Sequence, residues 1–259
     1  MLATALVAGT MAGTAQASSV VTLNYEGYHG GGINTNFGTR SAGIIKWTQV
    51  AGDTPEVHLT SIGNAQGFIT FCIEAFESLS GGHNTYHVLD AAQAPNNNVG
   101  GPNPNPMGVV RADNLSKLFA VGFLGTDLDD WKVNGSFDLT YIKAFQLAVW
   151  EVVNENVVQG LQMLNIMQSS GNRGAFYSTY GNTNNIATTA QNLLDMTMAT
   201  ENSVELIAFG SPFESLTARI QDQVTVRNVP PSPPVVPTPA AAGAGLLGLA
   251  GLLARRNKA

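Results

Sequence analysis

Six prolines fall within residues 230–239, in the run Pro230-Pro231-Ser232-Pro233-Pro234-Val235-Val236-Pro237-Thr238-Pro239. Proline lacks an amide donor and clashes with the preceding helical turn, so this run can form neither a helix interior nor a central strand. It is expected to be an extended linker, which closes the folded part of the chain near Val229. Beyond it, Ala240 to Ala254 is wholly apolar and rich in Gly, Ala and Leu, followed by Arg255-Arg256-Asn257-Lys258. That stretch is shorter than the ~20 residues of a usual membrane span. Its basic end nevertheless fits a short membrane-inserted tail with the positive terminus in the cytoplasm. At the other end, Met1 to Gly13 is small and apolar, and Ala15-Gln16-Ala17 has the small-x-small form of a signal cleavage site. The expected organisation is a signal peptide over 1–17, one folded domain over 18–229, a linker over 230–239 and a tail over 240–259.

The order of the C-terminal features, with Pro237, Thr238 and Pro239 before the apolar run and Arg255 and Arg256 after it, resembles the PEP-CTERM sorting signal. Thr238 stands where that signal usually carries Glu. The resemblance implies an exosortase-type sorting machinery as partner and transient membrane insertion through the tail. It also implies an exported product, held at the cell surface or outer envelope or released outside the cell.

The charged share of the chain is 12% and the net charge is −6, against a usual charged share of about 25%. Asn, Gly, Ser and Thr supply the polarity. A nucleic-acid partner needs a basic field to neutralise phosphates, and this chain has none to offer. The segment between the two ends is long enough for one sizeable core.

The middle of the chain changes character twice. Ser19–Asn24 alternates and is rich in β-branched residues, which predicts a strand. Tyr25–Gly38 is Gly- and Asn-rich and reads as loop. Ala42–Val50, Val57–Ile62 and Gly67–Ala75 read as further strands, Leu79–Asn84 as a turn and Tyr86–Leu89 as a short strand. Asn96–Pro106 has no apolar periodicity and is expected to be a long loop. Helices are then predicted over Asn114–Gly122, over the segment from the N-cap Asp138 to Asn154, and over about Thr183–Thr200. In the second helix Tyr141, Phe145, Ala148, Val149 and Val152 share one face, while Gln146 and Trp150 stand four apart on an adjoining stripe. Strands return at Ser203–Phe209 and Gln223–Val226. The fold class is α+β: an antiparallel β-rich sandwich or barrel with an inserted helical subdomain.

Cys72 is the only cysteine, so an exported form of this chain has no intrachain disulfide to explain it. A thiol brought to a carboxamide can attack it, release ammonia and form an internal thioester, a stored electrophile that an amine can open. That chemistry needs rigid carriers for both groups, polarisation of the carboxamide and exclusion of water. A strand carrying Cys72 and a helix carrying Gln146 meet the first need. Phe71, Phe145 and Trp150 are candidates for a dry wall.

Phe71-Cys72 and Phe145-Gln146-Leu147-Ala148-Val149-Trp150 together resemble the two motifs of the thioester domain of bacterial surface adhesins. The resemblance covers about Ser19 to Val226. It implies a β-rich part joined to a helical part, a bond between Cys72 and Gln146, and Trp150 packed over it. The implied function is non-enzymatic: covalent attachment, without a cofactor, to a surface or matrix ligand that bears an amine. Two other readings stay open. In one the protein is a structural, exopolysaccharide-associated surface protein with Cys72 an inert core residue. In the other Cys72 is a hydrolase nucleophile with His83 or His87 as base. No metal site is expected. His83 and His87 are four apart, but Gly81, Gly82 and Asn84 oppose the helix that this spacing needs, and Asp127, Asp129 and Asp130 lack the glycine and distant glutamate of a calcium loop.

Overall fold

The computed structural model describes residues 19–228 except positions 54, 58, 63, 80, 96–105, 156–163, 168–174, 180–184 and 212–219. The expected signal peptide, most of the 96–106 loop, the linker and the sorting tail lie outside the described residues. Among the described residues no helix is long and apolar enough to cross a membrane.

Strands β1 (Val20–Thr35), β2 (Gly38–Gly52), β3 (Thr60–Ile62), β4 (Ala65–Cys72) and β5 (His83–Asp90) precede three helices, α1 (Gly108–Gly122), α2 (Leu139–Asn154) and α3 (Ile186–Ala199). A two-stranded ladder of β6 (Lys132–Val133) and β7 (Ser136–Phe137) sits between α1 and α2, and β8 (Leu206–Gly210) and β9 (Gln223–Val226) follow α3. The main sheet runs β2-β1-β5-β8-β9-β4-β3, and a further β2–β4 pairing closes its first six strands into an antiparallel barrel. All three helices thus fall between β5 and β8. The α+β class and the helical insertion agree with the sequence, and of the two β architectures it left open the barrel is the one formed.

The largest departure is β1. Tyr25–Gly38, expected to be loop on its glycine content, is mostly strand, paired residue for residue with β2 from Gly27↔Lys46 to Thr35↔Gly38. The glycines serve the strand geometry rather than break it. Gly27, at φ +116°, sits at a register shift between Tyr25 and Gly27, where an extra residue bends the strand as barrel closure requires. Gly30 pairs with Gly43, and a Cβ on Gly43 would lie 2.2 Å from the His29 carbonyl oxygen and 2.7 Å from the Tyr28 ring. The two glycines leave room for the Tyr28 ring to lie across the hairpin. Smaller corrections concern element ends. β4 stops at Cys72, the third strand is confined to Thr60–Ile62 with Val57 forming only an isolated bridge to Arg227, and α1 starts at Gly108.

Inside the barrel, the Phe68 and Phe209 rings stack at 5.3 Å and the Trp47 and Tyr86 rings meet edge-on at 5.7 Å. On the outer face of β4, Phe71 meets Phe119, Phe123, Trp131 and Phe145 from the helical layer, with centroids 4.8–6.4 Å apart. Strand alternation explains the division: Phe68, Thr70 and Cys72 face inward, while Ile69, Phe71 and Ile73 face the helices.

α2 begins as the sequence predicts, with the Asp138 carboxylate accepting from the Thr140 and Tyr141 amides. It is not the one-faced helix that its periodicity suggests. Every residue from Ala144 to Asn154 is buried, because barrel strands lie on one side and α1 and α3 on the other. That burial encloses Glu151, whose Oε1 accepts from the Asn165 amide. Burial, and then the neighbouring Glu155, hold its pKa well above the ordinary carboxylate value of 4.5. A raised folded-state pKa contributes stability that is fully present below the unfolded value and lost as pH rises through the folded one. Thermal unfolding followed across pH should therefore show the melting temperature falling as pH rises above about 4.5. Glu151→Gln should flatten that slope and raise the neutral-pH Tm by roughly 2–4 °C. Equal slopes in the two proteins would assign the pH dependence elsewhere.

Candidate functional site

Cys72 is the last residue of β4, and its two flanks are satisfied differently. On one side the Ile73 amide donates to the Asp222 carbonyl next to β9. Alternation then points the Cys72 N–H and C=O toward β2, beyond the last β2–β4 pair at Ile45↔Thr70. β2 has turned away at this level, and the Gln146 carboxamide takes its place. Gln146 Oε1 accepts from the Cys72 N–H at 3.0 Å, and Gln146 Nε2 donates to the Cys72 carbonyl at 2.7 Å. Gln146, rigid on α2 and fully buried, acts as a side-chain surrogate for one residue of a strand. Cys72 and Gln146, expected to meet through thiol and carboxamide, meet through carboxamide and backbone.

The Cys72 sulfur faces two other glutamines. Its thiol donates to Gln221 Oε1 at 2.7 Å, and Gln223 Nε2 donates back to the sulfur at 3.7 Å. Gln221 is held from its other end by a 2.6 Å bond from Nε2 to the Glu74 carbonyl. Gln223 is fixed by Thr70, whose hydroxyl donates to Gln223 Oε1 at 3.0 Å and itself receives the Trp47 indole N–H at 2.8 Å. Glu74 and Asp222 lie behind this group at 1% exposure each, with the Asp222 amide donating to Glu74 Oε2. Burial, above all, pushes the Cys72 thiol pKa up; Glu74 adds to the rise and the Gln223 hydrogen bond opposes it. The thiol is therefore held in its protonated form.

A cavity of about 390 Å³ opens beside the sulfur, lined by Tyr25, Tyr28, Arg40, Cys72, Trp150 and Gln221 among others. Burial, and then Cys72, raise the Tyr28 hydroxyl pKa to about 12, so it remains a donor, bonded to the Ala42 carbonyl at 3.1 Å. Of the three aromatic residues expected to shield the thiol, only Trp150 lines this space. Phe71 and Phe145 pack on each other at 4.8 Å on the outer face of β4, the face opposite the sulfur. His83 is exposed on β5 and His87 is half-buried, and neither is among the hydrogen-bond partners found for the thiol. Among the described residues there is no cluster of His, Cys, Asp or Glu that could hold a metal ion.

Gln221 and Gln223 were not singled out from sequence. A signal was present: two glutamines at alternating positions entering a strand, which places both on one face. Which strand β9 would pair with, and hence that this face meets Cys72, is decided by the barrel. No family model, curated protein or solved structure matches this chain.

Proposed function

We propose that this is an exported surface or matrix protein that captures an amine-bearing partner covalently through an internal thioester, with Cys72 as the thiol and Gln221 as the acyl donor. The observation that carries this reading is the 2.7 Å contact between the Cys72 sulfur and Gln221 Oε1. The acyl carbon of Gln221 is one carbonyl bond, about 1.2 Å, from that oxygen, which keeps it within about 4 Å of the sulfur, close to the separation of reacting atoms before attack. In the first step the sulfur bonds to Gln221 Cδ and the Cδ–Nε2 bond breaks. The thiol proton passes to the departing nitrogen, which leaves as ammonia. In the second step a partner's amine attacks the thioester carbonyl. An amide forms on residue 221, and the proton lost from the amine returns to the Cys72 sulfur. Both steps balance without a cofactor or an oxidant. The end of β4 carries Cys72, the bond from Gln221 Nε2 to the Glu74 carbonyl holds Gln221 just ahead of β9, and burial of the sulfur supplies the low water activity that a thioester needs to persist. Gln146 then has a structural role: it satisfies the Cys72 backbone N–H and C=O and takes no part in the bond.

The second reading is that Cys72 is an inert core thiol of a structural surface protein. The raised thiol pKa favours it, because a buried protonated thiol is a poor nucleophile. Intact mass separates the two. The untreated protein should be lighter than its sequence by one ammonia, and methylamine should add its whole mass, leaving an N-methylamide on residue 221 that is heavier than the sequence by one methylene. Cys72→Ala should show neither change. A parent of full sequence mass that stays unmodified in methylamine identifies the inert-thiol protein. Sorting through the PEP-CTERM-like tail belongs to the same proposal, and loss of surface retention on deleting residues 230–259 tests it.

A further inference from the structure

The chain has three tryptophans. Trp47 donates its indole N–H to Thr70 Oγ1 and Trp131 donates to the Gly125 carbonyl, both at 2.8 Å. Trp150 Nε1 is buried and has no hydrogen-bond partner among the described residues. A buried donor without an acceptor is costly and uncommon, and it calls for a specific explanation. Trp150 lines the cavity beside Cys72, so that space is where an acceptor could reach it.

A second unsatisfied donor lines the same cavity. Arg40 Nε is buried without a partner, although Arg40 Nη2 donates to the Phe37 carbonyl at 2.7 Å and the guanidinium lies 5.2 Å over the Phe76 ring. Those two contacts fix the guanidinium plane, and no carboxylate pairs with it among the described residues. A fixed cation with a spare N–H, lining the same cavity as a spare indole N–H, matches an anionic oxygen acceptor better than a neutral one.

We propose that the cavity is a carboxylate-binding subsite, in which Arg40 and Trp150 receive a carboxylate carried by the same partner that presents the amine to Cys72. The class of partner is therefore an amino acid or a peptide segment with a carboxylate within a short alkyl chain of its primary amine. This deepens the covalent-capture reading, but the docking step does not require the thioester.

Docking and capture are tested separately. In the ¹⁵N-labelled full chain carrying Cys72→Ala, acetate should shift the Trp150 indole N–H resonance saturably and leave those of Trp47 and Trp131 in place. Arg40→Gln should abolish the shift. N-methylacetamide, a neutral acceptor, should shift the resonance far less. No saturable shift with acetate overturns the subsite. An equal shift with N-methylacetamide that survives Arg40→Gln overturns the assignment to a carboxylate. In the unsubstituted chain, γ-aminobutyrate and ε-aminocaproate are compared with n-butylamine for the rate of adduct formation. The better of the two amino acids should react about tenfold faster than n-butylamine, the gain expected of one charge-assisted contact. Arg40→Gln should remove that advantage, so that the amino acids react no faster than n-butylamine in the variant. Equal rates in the parent overturn the subsite as a guide for capture. Failure of the thioester itself has a different signature: full sequence mass and no adduct with any amine, whatever the indole resonance does.

Discussion

Gln221→Ala is expected to abolish both the ammonia deficit and every methylamine adduct, while the Cys72 thiol stays free. The substitution removes the acyl carbon itself, so the effect is from complete to none rather than graded. Gln221 Nε2 makes one hydrogen bond, to the Glu74 carbonyl. Losing the side chain removes that bond and the one from the Cys72 thiol, which should cost about 1–3 kcal/mol of stability, and the protein should still fold. Intact mass with and without methylamine is the measurement. If the Gln221→Ala protein still lacks one ammonia, the acyl donor is another glutamine, and Gln146 becomes the residue to test.

Gln146→Ala should behave in the opposite way, with a large loss of stability and little change in chemistry per folded molecule. Gln146 is fully buried and satisfies both the N–H and the C=O of Cys72. Alanine leaves both groups unpaired at a level where β2 has already diverged. At about 1–3 kcal/mol for each of the two orphaned buried groups, the expected loss is about 2–6 kcal/mol. Denaturant unfolding measures that loss directly. Mass analysis of the fraction still folded at low temperature should show the ammonia deficit intact. A variant as stable as the parent would mean that the bidentate contact is dispensable, and a stable variant of full sequence mass would return Gln146 to the role of acyl donor.

The helical insertion was legible because its signals are local. Asp138 followed by apolar residues at helical spacing specifies where α2 starts, and alternation specifies Phe71 and Cys72 on opposite faces of β4. The glycine-rich half of β1 was not legible. A glycine run is a loop by propensity and becomes a strand only when a partner strand supplies its hydrogen bonds. Here Gly30 and Gly43 approach too closely for any other residue pair. The burial of α2 on all sides from Ala144 to Asn154 was also invisible, since helical periodicity shows one apolar face but not that a second layer covers the other.

The same division runs through the candidate site. The sequence by itself determined that one thiol had to be accounted for, and that Gln146 and Trp150 share a stripe of one helix, because one cysteine and an i, i+4 spacing are facts of the linear chain. It also carried the sorting-tail expectation, which lies wholly in residues outside the described fold. Only the tertiary structure decided which glutamine meets the sulfur. Closing the barrel through β8 and β9 carries Gln221 and Gln223 across about 150 residues to the inner face of β4, while α2 reaches the same residue from the outer layer and finds its backbone. Contacts made at that sequence separation depend on strand order and closure, and no local pattern of residues encodes either.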